Sequence, residues 1–175
     1  GIGPYSNAFS GIHTRLSFRY NEVLLSLGTY PPDCGTANNG TFAFTADASV
    51  APACTVSAAD HDFGPVDGLL DVAHDAASAI SLRCTYRAPW QVGLGNGQNA
   101  AGTARRMNGA GGPIAYELYR DIARSQRWGT TLGIDTLAGT GTGTTQNLTV
   151  YGRVPAQAPR AAGLYTDTIV VTVTY

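Results

Sequence analysis

The 175 residues include no lysine, and all eleven basic side chains are arginine. GC-rich coding is the simplest account of this, and selection for rigid guanidinium contacts is the functional alternative. Charge of either sign is scarce at 13% of the chain, about half the usual share for a soluble domain. That argues against a freely diffusing helical enzyme, whose exposed helix faces carry more Glu and Lys. A formal net charge of −1 gives no general field to attract nucleic acid or anionic lipid. No apolar run approaches the roughly 18 residues of a membrane-spanning helix. No basic, apolar leader stands at Gly1, so if the protein is exported its signal is expected either to have been removed or to lie outside this sequence. The sequence also lacks a C-x-x-C pair, a G-x-S-x-G elbow, an H-E-x-x-H helix and a G-x-G-x-x-G turn leading into a helix. With them go the usual signatures of structural zinc, serine hydrolysis, zinc proteolysis and dinucleotide binding.

What is present points to strands. Hydrophobic residues make up 43% and glycine numbers 22, enough for one full β-sandwich core. Cys54 and Cys84 lie thirty residues apart, each beside a strand-like run, and Cys34 stands alone. A single disulfide joining two strands of a sandwich fits this spacing and implies an oxidising compartment; three reduced, buried cysteines are the alternative. Closing that loop stabilises the fold by roughly 3–4 kcal/mol in the chain-entropy model.

Residues 1–40 read differently from 41–175. The first section holds Leu16 to Tyr20 and Val23 to Leu27, a possible hairpin, followed by Gly28 to Gly40, whose Pro, Gly and Asn content reads as linker or turn. From Thr41 the chain alternates, with Phe42, Phe44, Ala46, Ala48 and Val50 on one face, which predicts a strand with one side buried. Further strands are expected at Ala79–Cys84, Trp90–Leu94, around Ile114, Tyr116 and Leu118, and at Leu148–Val154. Gly95 to Gly112 reads as a glycine-rich loop with Arg105-Arg106 at a turn, and Thr136 to Thr145 as a flexible Gly/Thr loop. Tyr165 to Tyr175 is the strongest strand, with Ile169, Val171, Val173 and Tyr175 facing one way. Short strands separated by regular turn signals indicate a sandwich.

No charge lies between Ile169 and Tyr175. A long apolar final strand left at a sheet edge is an aggregation hazard, so this edge is expected to receive a strand from another chain. Residues 41–50 are the candidate donor. Burying Phe42, Phe44 and Val50 in a neighbour's groove would contribute roughly 5–9 kcal/mol before ordering costs. A chain with both an acceptor groove and a donor strand polymerises head to tail.

From about Phe44 to Tyr175 the ordered landmarks resemble the spore coat protein U domain family. They include Cys54-Thr55-Val56, Phe63-Gly64, Leu82-Arg83-Cys84, Gly93-Leu94-Gly95-Asn96-Gly97 and Arg105-Arg106-Met107. They continue through Ile114 to Asp121, Trp128-Gly129, Tyr151-Gly152-Arg153 and Ala162 to Val173. The resemblance implies an all-β, immunoglobulin-like Greek-key sandwich that lacks one strand and is completed by donor-strand complementation. It implies a secreted subunit of an archaic chaperone–usher pilus, held by a periplasmic chaperone, passed to an outer-membrane usher and joined to neighbouring subunits. Surface attachment and biofilm formation would be its role. The first forty residues depart from a simple shaft subunit. They read either as the tail of an upstream domain, which makes 41–50 a covalent connector and leaves Cys34's partner elsewhere, or as an extension that decorates a shaft subunit or itself supplies the donor strand through Leu16 to Leu27.

Other constellations carry less. Asp60-His61-Asp62 reads as a solvated turn, not a metal site. Glu117 and Asp121, four apart on a strand, sit roughly 13 Å apart, too far for glycoside cleavage, so surface solvation or pairing with Arg120 or Arg124 is expected. Trp90, Trp128, Tyr116, Tyr119 and Tyr151 are expected in a core and not as a sugar platform. No catalytic residues, metal or cofactor are expected. The rival reading is a secreted glycan-binding sandwich that does not polymerise.

Overall fold

The computed structural model describes residues 1–10, 14–20 and 36–175. Cys34 and the Val23–Leu27 half of the expected hairpin lie outside the described residues. The chain divides into two compact units, residues 3–51 and residues 52–175 with Gly1 and Ile2.

The first unit consists of two antiparallel ribbons. β1 (Gly3–Phe9) pairs with β4 (Phe44–Val50) along its whole length, from Phe9 opposite Phe44 to Gly3 opposite Val50. β2 (Arg15–Tyr20) pairs with β3 (Thr36–Thr41). Two expectations are corrected here. The Asn38-Asn39-Gly40 stretch is not linker but part of β3, because a ladder that satisfies backbone groups overrides weak residue propensity. β4 alternates as expected, yet every one of its residues is exposed. Its apolar face is therefore not buried by this chain.

The second unit is an all-β, immunoglobulin-like sandwich, with no α-helix among the described residues. Its strands are β5 (Cys54–Ala58), β6 (His74–Cys84), β7 (Pro89–Leu94), β8 (Arg105–Met107), β9 (Ile114–Tyr119), β10 (Leu137–Thr140), β11 (Thr145–Val154) and β12 (Val171–Thr174). One sheet has the order β5-β6-β11-β9-β8 and the other β10-β7-β12. Alternate residues fill the space between: Ile80 and Leu82 from β6, Val92 and Leu94 from β7, Leu118 from β9 and Val150 from β11. Burying each of these is worth roughly 1.5–3 kcal/mol. Cys54 and Cys84 sit directly opposite each other across β5 and β6 and form a disulfide.

Three sequence expectations change in this unit. The Gly/Thr stretch from Thr136 to Thr145 contains β10, an edge strand paired with β7. Gly139 lies flat on Trp90, where a Cβ would overlap the indole, so this glycine serves packing and not flexibility. Arg105-Arg106-Met107 is not a turn but β8, paired with β9. The last strand's ladder is shorter than Tyr165–Tyr175, because β12 pairs with β7 only from Val171 to Thr174. Upstream of it the chain runs along the same edge through single bonds, Gly95 N–H to the Val170 carbonyl and Gln98 N–H to the Thr168 carbonyl.

Candidate functional site

β5 closes one end of the five-stranded sheet and β12 one end of the three-stranded sheet. The two strands come near each other without pairing. Each therefore has a backbone edge without a ladder partner among the described residues. Between them the sandwich is open, and a cavity of about 540 Å³ reaches down to the core. Its floor includes Ile80, Leu118 and Val150, all nearly fully buried. Ile169 and Val171 form the wall on the β12 side and Ala58 stands on the β5 side. Val173 packs against the same core, while Tyr175 lies beyond β12 and is half exposed.

A second cavity of about 340 Å³ continues from the first, under the 64–70 segment and beside residues 160–165. The two share His61, Asp62, Phe63, Met107, Leu164 and Tyr165 as lining, so together they make one long groove. The 60–66 loop is fastened to β6 by two imidazoles. His61 Nδ1 lies 2.8 Å from Ser78 Oγ, and His74 Nε2 lies 2.7 Å from the Phe63 carbonyl. Nε2 of His61 is buried with no hydrogen-bond partner. Burial, helped by the Arg124 charge and opposed by Asp62, pulls the His61 pKa below its ordinary value.

On the opposite wall Asp167 anchors the 165–170 segment. It accepts hydrogen bonds from the Tyr116 hydroxyl at 2.7 Å, the Asn99 amide N–H at 3.0 Å and Asn99 Nδ2 at 3.1 Å. Burial first, and then the Asp167 carboxylate, push the Tyr116 phenol well above its usual range. Tyr116 therefore remains a donor at any physiological pH.

Sequence reasoning missed Arg105. Its guanidinium is fully buried, donating to the carbonyls of Leu94 at 2.7 Å, Gly95 at 2.9 Å and Trp128 at 2.6 Å, and pairing with Glu117. Arg127 joins Glu117 from the other side at 2.8 Å. The expected pairing of Glu117 with Arg120 or Arg124 is thus corrected, because Glu117 lies between Arg105 and Arg127. Asp121 instead accepts the Ser125 and Gln126 amides and closes a turn. The signal for Arg105 was its place in the Arg105-Arg106-Met107 landmark. Trp90, Trp128 and Tyr116 are core residues, so they do not form a platform. Among the described residues no cluster of His, Cys, Asp or Glu is arranged to hold a metal.

The other candidate residues are displayed, not enclosed. Phe42 and Phe44 are 58% and 49% exposed and Val50 40%, with Ala46 and Ala48 exposed on the same strand. Phe44 stacks on Phe9 at 4.9 Å between ring centres. The molecule thus has an unfilled apolar groove in its second unit and an unfilled alternating strand in its first.

A family model, the Spore Coat Protein U domain, matches residues 40–172. Protein U of Myxococcus xanthus is 32% identical over 129 residues, covering 69% of this chain and 72% of that protein. Among solved structures, the chain resembles one in the crystal structure of the CsuC–CsuE chaperone–tip adhesion subunit pre-assembly complex, from the archaic chaperone–usher Csu pili of Acinetobacter baumannii. The TM-score is 0.54 at 25% identity, covering 82% of this chain and 45% of that one. The chain therefore spans less than half the length of its structural neighbour.

Proposed function

This chain belongs to the Spore Coat Protein U domain family, and we propose on that basis that it is a structural subunit of an extracellular pilus. The subunit is assembled by donor-strand exchange along a chaperone–usher route and supports surface adhesion and biofilm formation. Its role is structural, not catalytic. A periplasmic chaperone first covers the groove between β5 and β12; at the outer-membrane usher a neighbouring subunit's strand replaces it. Ile169, Val171, Val173 and Tyr175 are the acceptor edge, and the Cys54–Cys84 bond holds the opposite edge strand in place. The observation that carries this reading is the open groove, whose floor is the sandwich core itself. An apolar channel flanked by two strand edges has the shape of an absent strand, and adding that strand supplies both backbone bonds and pockets.

Residues 41–50, with Phe42, Phe44, Ala46, Ala48 and Val50 on one face, are the segment of this chain suited to fill such a groove in a neighbour. A second reading makes 41–50 a covalent connector to an upstream domain. It is favoured by the continuous pairing of β4 with β1 and by the grouping of both in the 3–51 unit.

The test is to place Asp at Ile169 and Val171 together and to follow incorporation into surface fibres by electron microscopy and by heat-sensitive oligomer ladders on gels. The variant should keep its disulfide and bind no neighbour. Fibres formed at the unaltered level would overturn the proposal.

A further inference from the structure

Among the described residues three that are not glycine have a positive φ: Leu70 at 53°, Arg124 at 56° and Arg87 at 66°. Glycine adopts this left-handed region freely, and other residues enter it only at a cost. For two of the three, the contacts they make account for that cost. Leu70 is buried in the core at 2% exposure. Arg124 pairs with Asp75 at 3.2 Å and donates to the Gly152 carbonyl at 3.1 Å. Arg87 is different. It is exposed, and its guanidinium has no carboxylate or hydrogen-bond partner among the described residues. It lies 5.4 Å over the ring of Tyr86, which is itself half exposed, and a surface contact of this kind contributes little to the fold. A strained residue that holds nothing around it in place points to a role outside folding.

The turn between β6 and β7 fixes that backbone, since the Arg87 N–H donates to the Gly141 carbonyl at 2.8 Å and the Ala88 N–H to the Thr85 carbonyl at 3.0 Å. A second cation belongs to the same place. Arg83 lies between the buried Leu82 and Cys84 on β6, so its exposed side chain points away from the core. It donates through Nε to the Gly143 carbonyl at 3.0 Å, and its terminal nitrogens have no partner among the described residues. Tyr86 begins beside the same Gly143, where an added Cβ would lie 3.7 Å from the Tyr86 Cβ. Contacts therefore run without a break from Arg83 through Gly143 and Tyr86 to Arg87. Thr145, exposed and opposite Arg83 on β11, adds a hydroxyl. No acidic residue occurs from 76 to 116 or from 136 to 166, so neither segment supplies a carboxylate to neutralise the two cations.

We propose that Arg83, Tyr86 and Arg87 form a binding site for a polysaccharide that carries carboxylates, one built from uronic acid sugars. A guanidinium with unused donors matches the two oxygens of a planar carboxylate. The half-exposed tyrosine ring offers an apolar plate to the C–H face of a sugar, and Thr145 offers its hydroxyl to a sugar hydroxyl. Two cations without a wider basic field do not suit nucleic acid, whose binders neutralise many phosphates. The turn fixes the Arg87 backbone before a ligand arrives, which lowers the cost of ordering it on binding. None of these residues lines either cavity of the groove, so the site stands apart from the strand-acceptor reading. Repeated along a fibre, it would hold a polymer at many points at once.

The test uses the full chain and fluorescently labelled oligogalacturonate at low salt, with affinity read by anisotropy. The unaltered chain should bind it, and should bind its methyl ester roughly tenfold more weakly, because the ester keeps the sugar and removes the charge. R83Q and R87G should each weaken binding about fivefold, while R106Q, which removes the same charge elsewhere, should leave it unchanged. R87G should also unfold at a urea midpoint no lower than that of the unaltered chain, because glycine relieves the positive φ. Equal binding of acid and ester, or equal losses in R83Q and R106Q, would overturn the site. A lowered urea midpoint in R87G would make Arg87 a structural residue and overturn its place in the site. R83Q, altered on an exposed sheet face, gives the binding comparison even if R87G does not fold. No binding by the unaltered chain would overturn the proposal and leave the groove reading standing.

Discussion

Arg105 is a cation inside a sandwich core, and its worth depends on every one of its donors being used. The Leu94, Gly95 and Trp128 carbonyls and the Glu117 carboxylate surround it, and its burial pulls its own pKa down while Glu117 opposes this. Replacing it with leucine removes the donor to three carbonyls and leaves Glu117 with Arg127 as its one remaining ion-pair partner among the described residues. R105L should cost about 3–5 kcal/mol, read as a lower urea midpoint at unchanged slope, and R105K should recover only part of it, because one ammonium cannot reach four acceptors. His61 makes a second prediction. The fold favours its neutral form, so its folded pKa lies below the unfolded value of about 6.5. The associated stability is complete above that pH and is lost as pH falls through the unfolded pKa toward the folded one. Arg124 and Asp62 are the charged groups acting on it. Urea midpoints should therefore fall on acidification from neutrality, and H61Q should flatten that slope. Asp75, held low mainly by its hydrogen bond to Arg153, loses its contribution only in the more acid range below about pH 4, so the two effects separate on the pH axis.

Among the elements, β6, β7, β9 and β11 were legible in sequence because each is buried on one face and alternates cleanly. β8 and β10 were not. β8 is three residues long and β10 is a Gly/Thr edge strand, and both are specified by what they pack against, Tyr116 and Trp90, instead of by their own pattern. β3 was hidden for the same reason, in Asn-rich residues that look like linker. β4 was the opposite case, since its alternation was plain but the burial that alternation implies is absent from this chain. Ile169 and Val171, which line the groove, fall within the uncharged run from Ile169 to Tyr175 that the sequence made plain. The link between β5 and β6 gives a further prediction. Replacing Cys54 and Cys84 with serine should lower stability by about 3.5 kcal/mol in the chain-entropy model for a loop of this length, and the same loss should follow when the unaltered protein is melted under reducing conditions.

For the whole molecule, the sandwich ends at two backbone edges with a core-deep groove between them, while an alternating apolar strand elsewhere in the chain is left uncovered. Both features find the same resolution if a strand passes between molecules, and a contact of that kind does not close on itself. The chain belongs to the Spore Coat Protein U domain family. Amide hydrogen exchange along β5 and along residues 169–174, compared between the isolated chain and the assembled fibre, tests the exchange most directly. The isolated chain should exchange rapidly at the groove-facing amides of both edges, and the fibre should protect them. Full protection of both edges in the isolated, monomeric chain would contradict the account, because the groove would then already be filled from within.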